Sequence, residues 1–260
     1  MVKPKIIYYS DILNDEFSET EIKPKKIDEN YKYIRRGPFR FLTHIFWYRM
    51  VACVLAPWYL KIKFRHKVIN KKILKPYKKD SYFMYGNHTQ DIADALIPTM
   101  VNGYKDTYVI VHANNVSMPY LGRITPSMGA IPLPDDIKAS KNFIKCIDYR
   151  VKQKKVIMIY PEAHIWPYCT FIRPFKDLSF RYPVEYNKPV FCFVNVYKKR
   201  KNNKVKIETI VKGPFFPDNT LSNKDARIKL RNEVYECMNE LSKQNEVEVI
   251  KYVERDKTND

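Results

Sequence analysis

The run Tyr85-Gly86-Asn87-His88-Thr89-Gln90-Asp91-Ile92-Ala93-Asp94 carries a histidine followed by two aspartates. An imidazole that donates one N–H to a carboxylate is fixed in tautomer, and its other nitrogen is left to accept a proton, which is what general-base catalysis requires. The plain alternative is a loop histidine beside an aspartate that caps a helix. A second polar run, Tyr160-Pro161-Glu162-Ala163-His164, follows the apolar stretch Val156-Ile157-Met158-Ile159. Its plain alternative is a loop glutamate in a salt bridge of little energetic weight.

Both runs need strands to position them. A strand that ends in Gly-Asn-His and passes into a helix sets the imidazole at the carboxyl edge of a sheet, where α/β proteins bind ligands. Short apolar runs predict strands at 82–85, 108–112, 130–133, 156–160, 190–197 and 205–211. Helix-like stretches lie between them at about 92–102, 138–153 and 175–187, with a last one at about 222–243. Strands alternating with helices predict an α/β sheet covered on both faces. At 260 residues the chain is read as a single large domain. Residues 1–38 read as a polar N-terminal arm, 39–65 as an apolar helix, 66–250 as the domain that carries both runs, and 251–260 as a polar tail.

Composition narrows the partners. Lys and Arg number 47 against 28 Asp and Glu, a formal charge of +19 that attracts nucleic acid, anionic lipid or phosphorylated ligands without choosing among them. The basic runs at 71–79, 152–155 and 198–206 are individually ordinary solvated faces; together they favour an anionic bilayer. Five scattered cysteines with no C-x-x-C pair speak for a reducing compartment and against a zinc ribbon. The mixed-charge N-terminus lacks a secretory pattern, so a cytoplasmic location is expected. Phe39 to Phe64 is the most apolar segment, but its longest uncharged run, Met50–Leu60, falls short of the roughly 20 residues of a spanning helix. With Trp47, Tyr48, Trp58 and Tyr59, and with Arg40, Arg49, Lys61, Lys63 and Arg65 around them, it has the composition of a helix lying in a lipid interface. A core helix beneath the arm is the competing reading. His88, Asp91, Asp94, His112 and His164 show no recognised ligand spacing, so no metal is expected. His112, at the end of an apolar strand, reads as structural.

Taken together and in order, these pieces resemble the glycerolipid acyltransferase family, which includes the 1-acylglycerol-3-phosphate acyltransferases. Gly86-Asn87-His88 through Asp94 resembles its Asn-His-x4-Asp motif, and Gly129-Ala130-Ile131-Pro132-Leu133 its second, strand-forming motif. Tyr160-Pro161-Glu162-Ala163 is similar to Phe-Pro-Glu-Gly, and Lys188-Pro189-Val190 to the last motif; Pro174-Phe175-Lys176 sits where the family often has Pro-Phe-Lys. The resemblance spans about residues 80–200. There are departures. Five residues separate His88 from Asp94, not four, so either Asp94 or Asp91 partners the histidine; the apolar Ala95-Leu96-Ile97-Pro98 that follows resembles the family's continuation after its Asp and favours Asp94. His164-Ile165 stand where the family has Thr-Arg, and Pro134, Asp135 and Asp136 where its second motif ends in Arg.

The resemblance implies the family's α/β fold, a mixed sheet with helices on both faces, here preceded by an amphipathic interfacial helix. It implies catalysis by His88 with Asp94, and no cofactor beyond the acyl donor, acyl-CoA or acyl-carrier protein. The implied acceptor is a lysophospholipid, lysophosphatidic acid first, contacted through Asn87, Gly129, Pro161, Glu162, Ala163 and His164. Arg123, Arg173 and Lys176 are the candidates to replace the missing phosphate-binding cations. The expected partners are these two substrates and the cytoplasmic face of an anionic membrane, to which the chain is held peripherally or monotopically. Two rivals remain. A basic nucleic-acid-binding protein would bind with steep salt dependence and no need of His88. A lipid hydrolase using the same His and Asp on water is disfavoured by the lack of a Gly-x-Ser-x-Gly elbow.

Overall fold

The computed structural model describes residues 4–18, 22–201 and 204–255. In chain order, β1 (Lys5–Tyr9) is followed by one long helical stretch in three contiguous parts: α1 (Pro38–His44), a π-helical segment (Ile45–Ala52) and α2 (Cys53–Phe64). Next come β2 (Lys67–Ile69), a 3-10 segment (Lys71–Tyr77), β3 (Tyr82–Gly86), α3 (Asp91–Asn102) and β4 (Thr107–Val111). Two short helices, α4 (Asn114–Ser117) and α5 (Leu121–Ile124), precede β5 (Ala130–Pro132), α6 (Ile137–Lys152) and β6 (Val156–Ile159). The chain ends with α7 (Arg181–Glu185), β7 (Val190–Lys199), β8 (Val205–Phe215), α8 (Asn223–Ser242) and β9 (Ile250–Glu254).

Seven strands form one sheet in the order β2-β8-β7-β3-β6-β4-β5. β7, β3, β6, β4 and β5 run parallel, while β8 is antiparallel to β7 and carries β2 parallel to itself. The period of two along each strand sends side chains to opposite faces. From β3, Phe83 and Tyr85 enter the core beneath α6 and α8 with Phe143, Ile147, Leu230 and Val234. Tyr82 and Met84 enter the other core, closed by Leu60 and Phe64 of α2 and Ile97 and Val101 of α3. Central strands buried on both sides explain the unbroken apolar runs that announced them.

Three expectations need correction. The segment read as a polar arm is docked: β1 pairs in parallel with β9, and Phe17 and Tyr9 pack on Trp166 and Tyr252. Ile27 is fully buried, and its N–H donates to the Asp135 carboxylate at 2.6 Å. Part of the supposed tail is β9 itself; residues 256–260 lie outside the description. The helix expected at 175–187 shrinks to a 3-10 turn (Leu178–Phe180) and the five residues of α7, which include Pro183, a residue that cannot donate to a helix ladder.

The segment 39–65 is a helix with one buried and one exposed side. Ala56, Leu60 and Phe64 are buried, whereas Leu42, Phe46, Met50, Val54, Trp58 and Ile62 form an exposed row at every fourth residue along the same helix. The side chain of Arg40 lies outside the description. Among the described residues no helix is long and apolar enough to cross a membrane.

Candidate active site

His88 stands two residues past Gly86, the carboxyl end of β3, and α3 begins three residues later. The strand can end beside its neighbours only because residue 86 has no side chain. A Cβ on Gly86 would lie 2.5 Å from the Phe193 ring and 2.8 Å from Met158. Gln90 stands extended at the N-cap of α3 without capping the helix itself, and Asp94 in the first turn reaches back instead. One oxygen of Asp94, Oδ2, accepts the N–H groups of Thr89 at 2.8 Å and Gln90 at 2.9 Å, and lies 2.9 Å from His88 Nδ1. The spacing is thereby resolved: Asp94 holds the imidazole, and Asp91 is exposed at the helix start. With Nδ1–H given to the carboxylate, Nε2 is the nitrogen with a free lone pair. The ring lies on Tyr160, centroids 4.4 Å apart, and the Tyr160 hydroxyl donates to the Asp94 carbonyl.

Behind this dyad runs a buried polar chain. Asp94 Oδ1 accepts from Asn195 Nδ2 at 3.2 Å; Asn195 Oδ1 accepts from the Thr209 hydroxyl at 2.6 Å; Thr209 Oγ1 lies 2.7 Å from His66 Nε2. Since the Thr209 proton goes to Asn195, its oxygen must accept from His66, which is therefore the Nε2–H tautomer. Asn87 and Asn195 exchange two further bonds, side chain to backbone, at 2.8 and 3.2 Å. Burial pushes the Asp94 carboxyl up, and the bonds from His88, Gln90 and Thr89 oppose it. Burial alone lowers His66 to about 4, so it is neutral.

The second run closes the site from β6. Glu162 is buried, and its two oxygens accept the backbone N–H groups of His88 and Arg173, each at 2.9 Å. Its carboxylate thus ties the loop of His88 to the loop of Arg173 instead of facing outward. Burial raises its pKa against the pull of the Arg173 charge and the two N–H groups. Arg173, only 1% exposed, stands 3.7 Å from Glu162, donates to the His164 carbonyl and lies over the Trp166 ring. Ala163 holds φ 65°, the left-handed conformation for which glycine is the usual choice. His164 pairs with Glu16 at 3.2 Å, and Pro161 is half-buried before the turn.

The remaining candidates are dispersed. Gly129, at φ 99°, makes a turn into β5 where a Cβ would meet the Thr107 carbonyl oxygen at 2.5 Å, a backbone duty. Arg123 and the arm residues Lys25, Tyr31 and Arg35 line a pocket of about 300 Å3 together with Val116, Gly122 and Pro126 of the segment that joins β4 to β5. Lys176 is exposed on the loop before the Leu178–Phe180 turn. Asn195, Thr209 and His66 were not foreseen as site residues: each is a single polar residue in or beside a strand, and only the sheet pairing brings them behind Asp94.

No family model and no curated protein sequence matches the chain. Among solved structures it is similar to the crystal structure of the 1-acyl-sn-glycerophosphate (LPA) acyltransferase PlsC from Thermotoga maritima, with 15% identity, a TM-score of 0.52, and coverage of 80% of this chain and 84% of that one. The likeness is one of fold, and the mixed sheet flanked by helices is common to both.

His66 gives the site a pH dependence. A histidine whose folded pKa is depressed contributes stability that is complete above its unfolded value of 6.5 and is lost as pH falls toward 4. Between pH 7.5 and 5 that loss amounts to about 2 kcal/mol. Urea denaturation of the wild type and His66→Gln should therefore differ by about 2 kcal/mol less at pH 5 than at pH 7.5. A pH-independent difference would mean that His66 is not held neutral.

Proposed function

We propose that the chain is an O-acyltransferase that moves a fatty acyl group from a thioester, acyl-CoA or acyl-carrier protein, to a hydroxyl of a lysophospholipid. The observation that carries the reading is the His88–Asp94 pair at the carboxyl edge of a sheet shared with a lysophosphatidic acid acyltransferase. His88 Nε2 takes the acceptor's hydroxyl proton as that oxygen attacks the thioester carbonyl. Collapse of the tetrahedral adduct breaks the C–S bond, and the departing thiolate receives the proton back from the imidazolium. Asp94 keeps the ring in its tautomer and stabilises the imidazolium, as the carboxylate of a hydrolase triad does. No side-chain nucleophile is needed.

The acceptor's phosphate is best served by the pocket of Lys25, Arg35 and Arg123, which gathers three cations with no carboxylate among the described residues of its lining. Arg173 is engaged by Glu162, His164 and Trp166, and Lys176 stands apart on its loop. The exposed row from Leu42 to Ile62, with the exposed cations Lys61, Lys63 and Arg65 at its end, fits an anionic bilayer as its partner: apolar side chains entering the interface and cations meeting phosphates. This gives a peripheral or monotopic enzyme on the cytoplasmic face.

Three outcomes test this reading. His88→Ala should lower kcat by about 10² to 10⁴ while circular dichroism is unchanged; Asp94→Asn should be severe and Asp91→Asn mild, and retention of a tenth of the wild-type kcat by His88→Ala would defeat the general-base role. The readout is lipid mass spectrometry with acyl-CoA and a panel of lysophospholipids. Arg123→Gln should cost about 10- to 150-fold in kcat/KM on a phosphorylated acceptor, the worth of one charge-assisted hydrogen bond, and little on an unphosphorylated one. Arg173→Gln should instead act on stability and Lys176→Gln on neither; equal small losses for Arg123→Gln on both acceptors would remove it from the phosphate site. Finally, because Leu60 and Phe64 belong to the core, the membrane role is tested by substitution in place of truncation. Phe46→Ser with Trp58→Ser should weaken sedimentation with anionic vesicles at least tenfold, since each buried apolar side chain is worth about 1.5 to 3 kcal/mol. Unchanged sedimentation would leave the row without a bilayer partner.

A further inference from the structure

At the opposite edge of the sheet, three loops that lead into adjacent parallel strands converge. Lys78 and Lys79 precede β3, Tyr104, Lys105 and Asp106 precede β4, and Gln153, Lys154 and Lys155 precede β6. Together with Arg49 from the π-helical segment they line a cleft of about 330 Å3, with six cations and one carboxylate among the described residues of its wall. That carboxylate is already engaged. Asp106 takes Arg49 at 2.6 Å on one oxygen and Lys155 at 2.6 Å on the other, with His44 at 3.6 Å. Burial opposes its ionisation, but the bonds from His44 and Lys155 hold it well below the usual carboxylate range. The neighbouring acid, Asp80, is paired with Lys188 at 2.8 Å. Among the described residues, Lys78, Lys79 and Lys154 have no carboxylate partner.

We propose that this cleft is a second, non-catalytic binding site for a phosphate-bearing anion. The walls are built for it. Lys105, half-buried at the back, donates to the carbonyls of Lys78 at 3.0 Å and Lys154 at 2.6 Å, and so fixes the two loops whose ammonium groups face no acid. Like charges brought together in this way repel one another, a cost that an incoming anion reverses. Burial first, and the Lys155 ammonium second, depress Lys105 to about 8. The site cannot be the catalytic one, because a five-residue strand, roughly 16 Å of chain, separates the amino edge of the sheet from His88. It does not depend on the acyl-transfer reading. The phosphate has two sources. Arg49 is adjacent in sequence to Met50 of the exposed apolar row, which brings a lipid phosphomonoester headgroup within the cleft's neighbourhood, and a free diphosphate offers the same chemistry from solution.

The experiment compares two triple variants of the full chain that remove the same charge. In one, Lys78→Gln, Lys79→Gln and Lys154→Gln strip the cleft; in the other, Lys141→Gln, Lys145→Gln and Lys224→Gln strip exposed lysines elsewhere. Both are titrated calorimetrically with pyrophosphate and sedimented with phosphatidylcholine vesicles containing phosphatidic acid. The cleft variant is expected to lose at least tenfold in affinity and the control less than threefold, with Lys154→Gln alone intermediate. Loss toward vesicles, with or without pyrophosphate, assigns the lipid headgroup; loss toward pyrophosphate alone assigns a soluble phosphate. Equal losses in the two triple variants, or none with either probe, would overturn the site.

Discussion

Asp94 keeps its carboxylate where water does not reach, and an ionised group there costs several kcal/mol unless donors surround it. Its donors come from three directions: the backbone of Thr89 and Gln90 ahead of α3, the amide of Asn195 on β7, and the ring of His88. Each donor needs its own support. Asn195 needs Thr209 on β8, Thr209 needs His66, and the loop that carries His88 needs Glu162 in the turn after β6. One buried charge therefore enlists β7, β8, the turn after β6 and the turn into α3. A network of this kind is worth having only when complete, because a buried group left without its partner costs about 1–3 kcal/mol.

Glu162 makes the complementary arrangement on the other side of the imidazole. It holds the backbone of residue 88 in place while Asp94 holds the ring, so the histidine is fixed at both ends by carboxylates that themselves face inward. Arg173 answers the charge of Glu162 and is held in turn by the Trp166 face and the His164 carbonyl. The aromatic cluster around Trp166 includes Phe17 and Tyr252, from the two ends of the described chain. The support of the site thus extends into the small β1–β9 sheet.

The parts of this arrangement that were legible in the sequence are the local ones. Apolar runs flanked by glycine and proline marked β3, β6 and β7 because strands buried on both faces have no polar positions to interrupt them. His88 and the preference for Asp94 over Asp91 followed from residues adjacent in the chain. What escaped notice is what sheet pairing alone creates. Nothing local to Asn195 or Thr209 says that they stand side by side, and they do so only because β7 and β8 pair in that register. The docking of residues 5–9 was missed for a related reason. The run Lys-Ile-Ile-Tyr-Tyr is short, lies amid charges, and finds its partner some 240 positions later. Of the three cations offered for phosphate, charge could not separate Arg123 from Arg173; burial does.

The π-helical segment bears on how the long N-terminal helix presents its outer side. In an α-helix four residues sweep about 400°, so a row drawn at every fourth position creeps about 40° around the barrel at each step. A π-helix winds more slowly, so the same row creeps back. With Ile45–Ala52 set between two α-helical parts, the drift of the flanks is partly cancelled in the middle, and the apolar row from Leu42 to Ile62 keeps a steadier heading than a pure α-helix would give it. The segment acts as a phase correction. Removing one residue from it while the π winding is kept would turn everything before it, relative to everything after, by somewhat less than the roughly 100° of an α-helical residue, splitting one continuous apolar line into two that look in different directions.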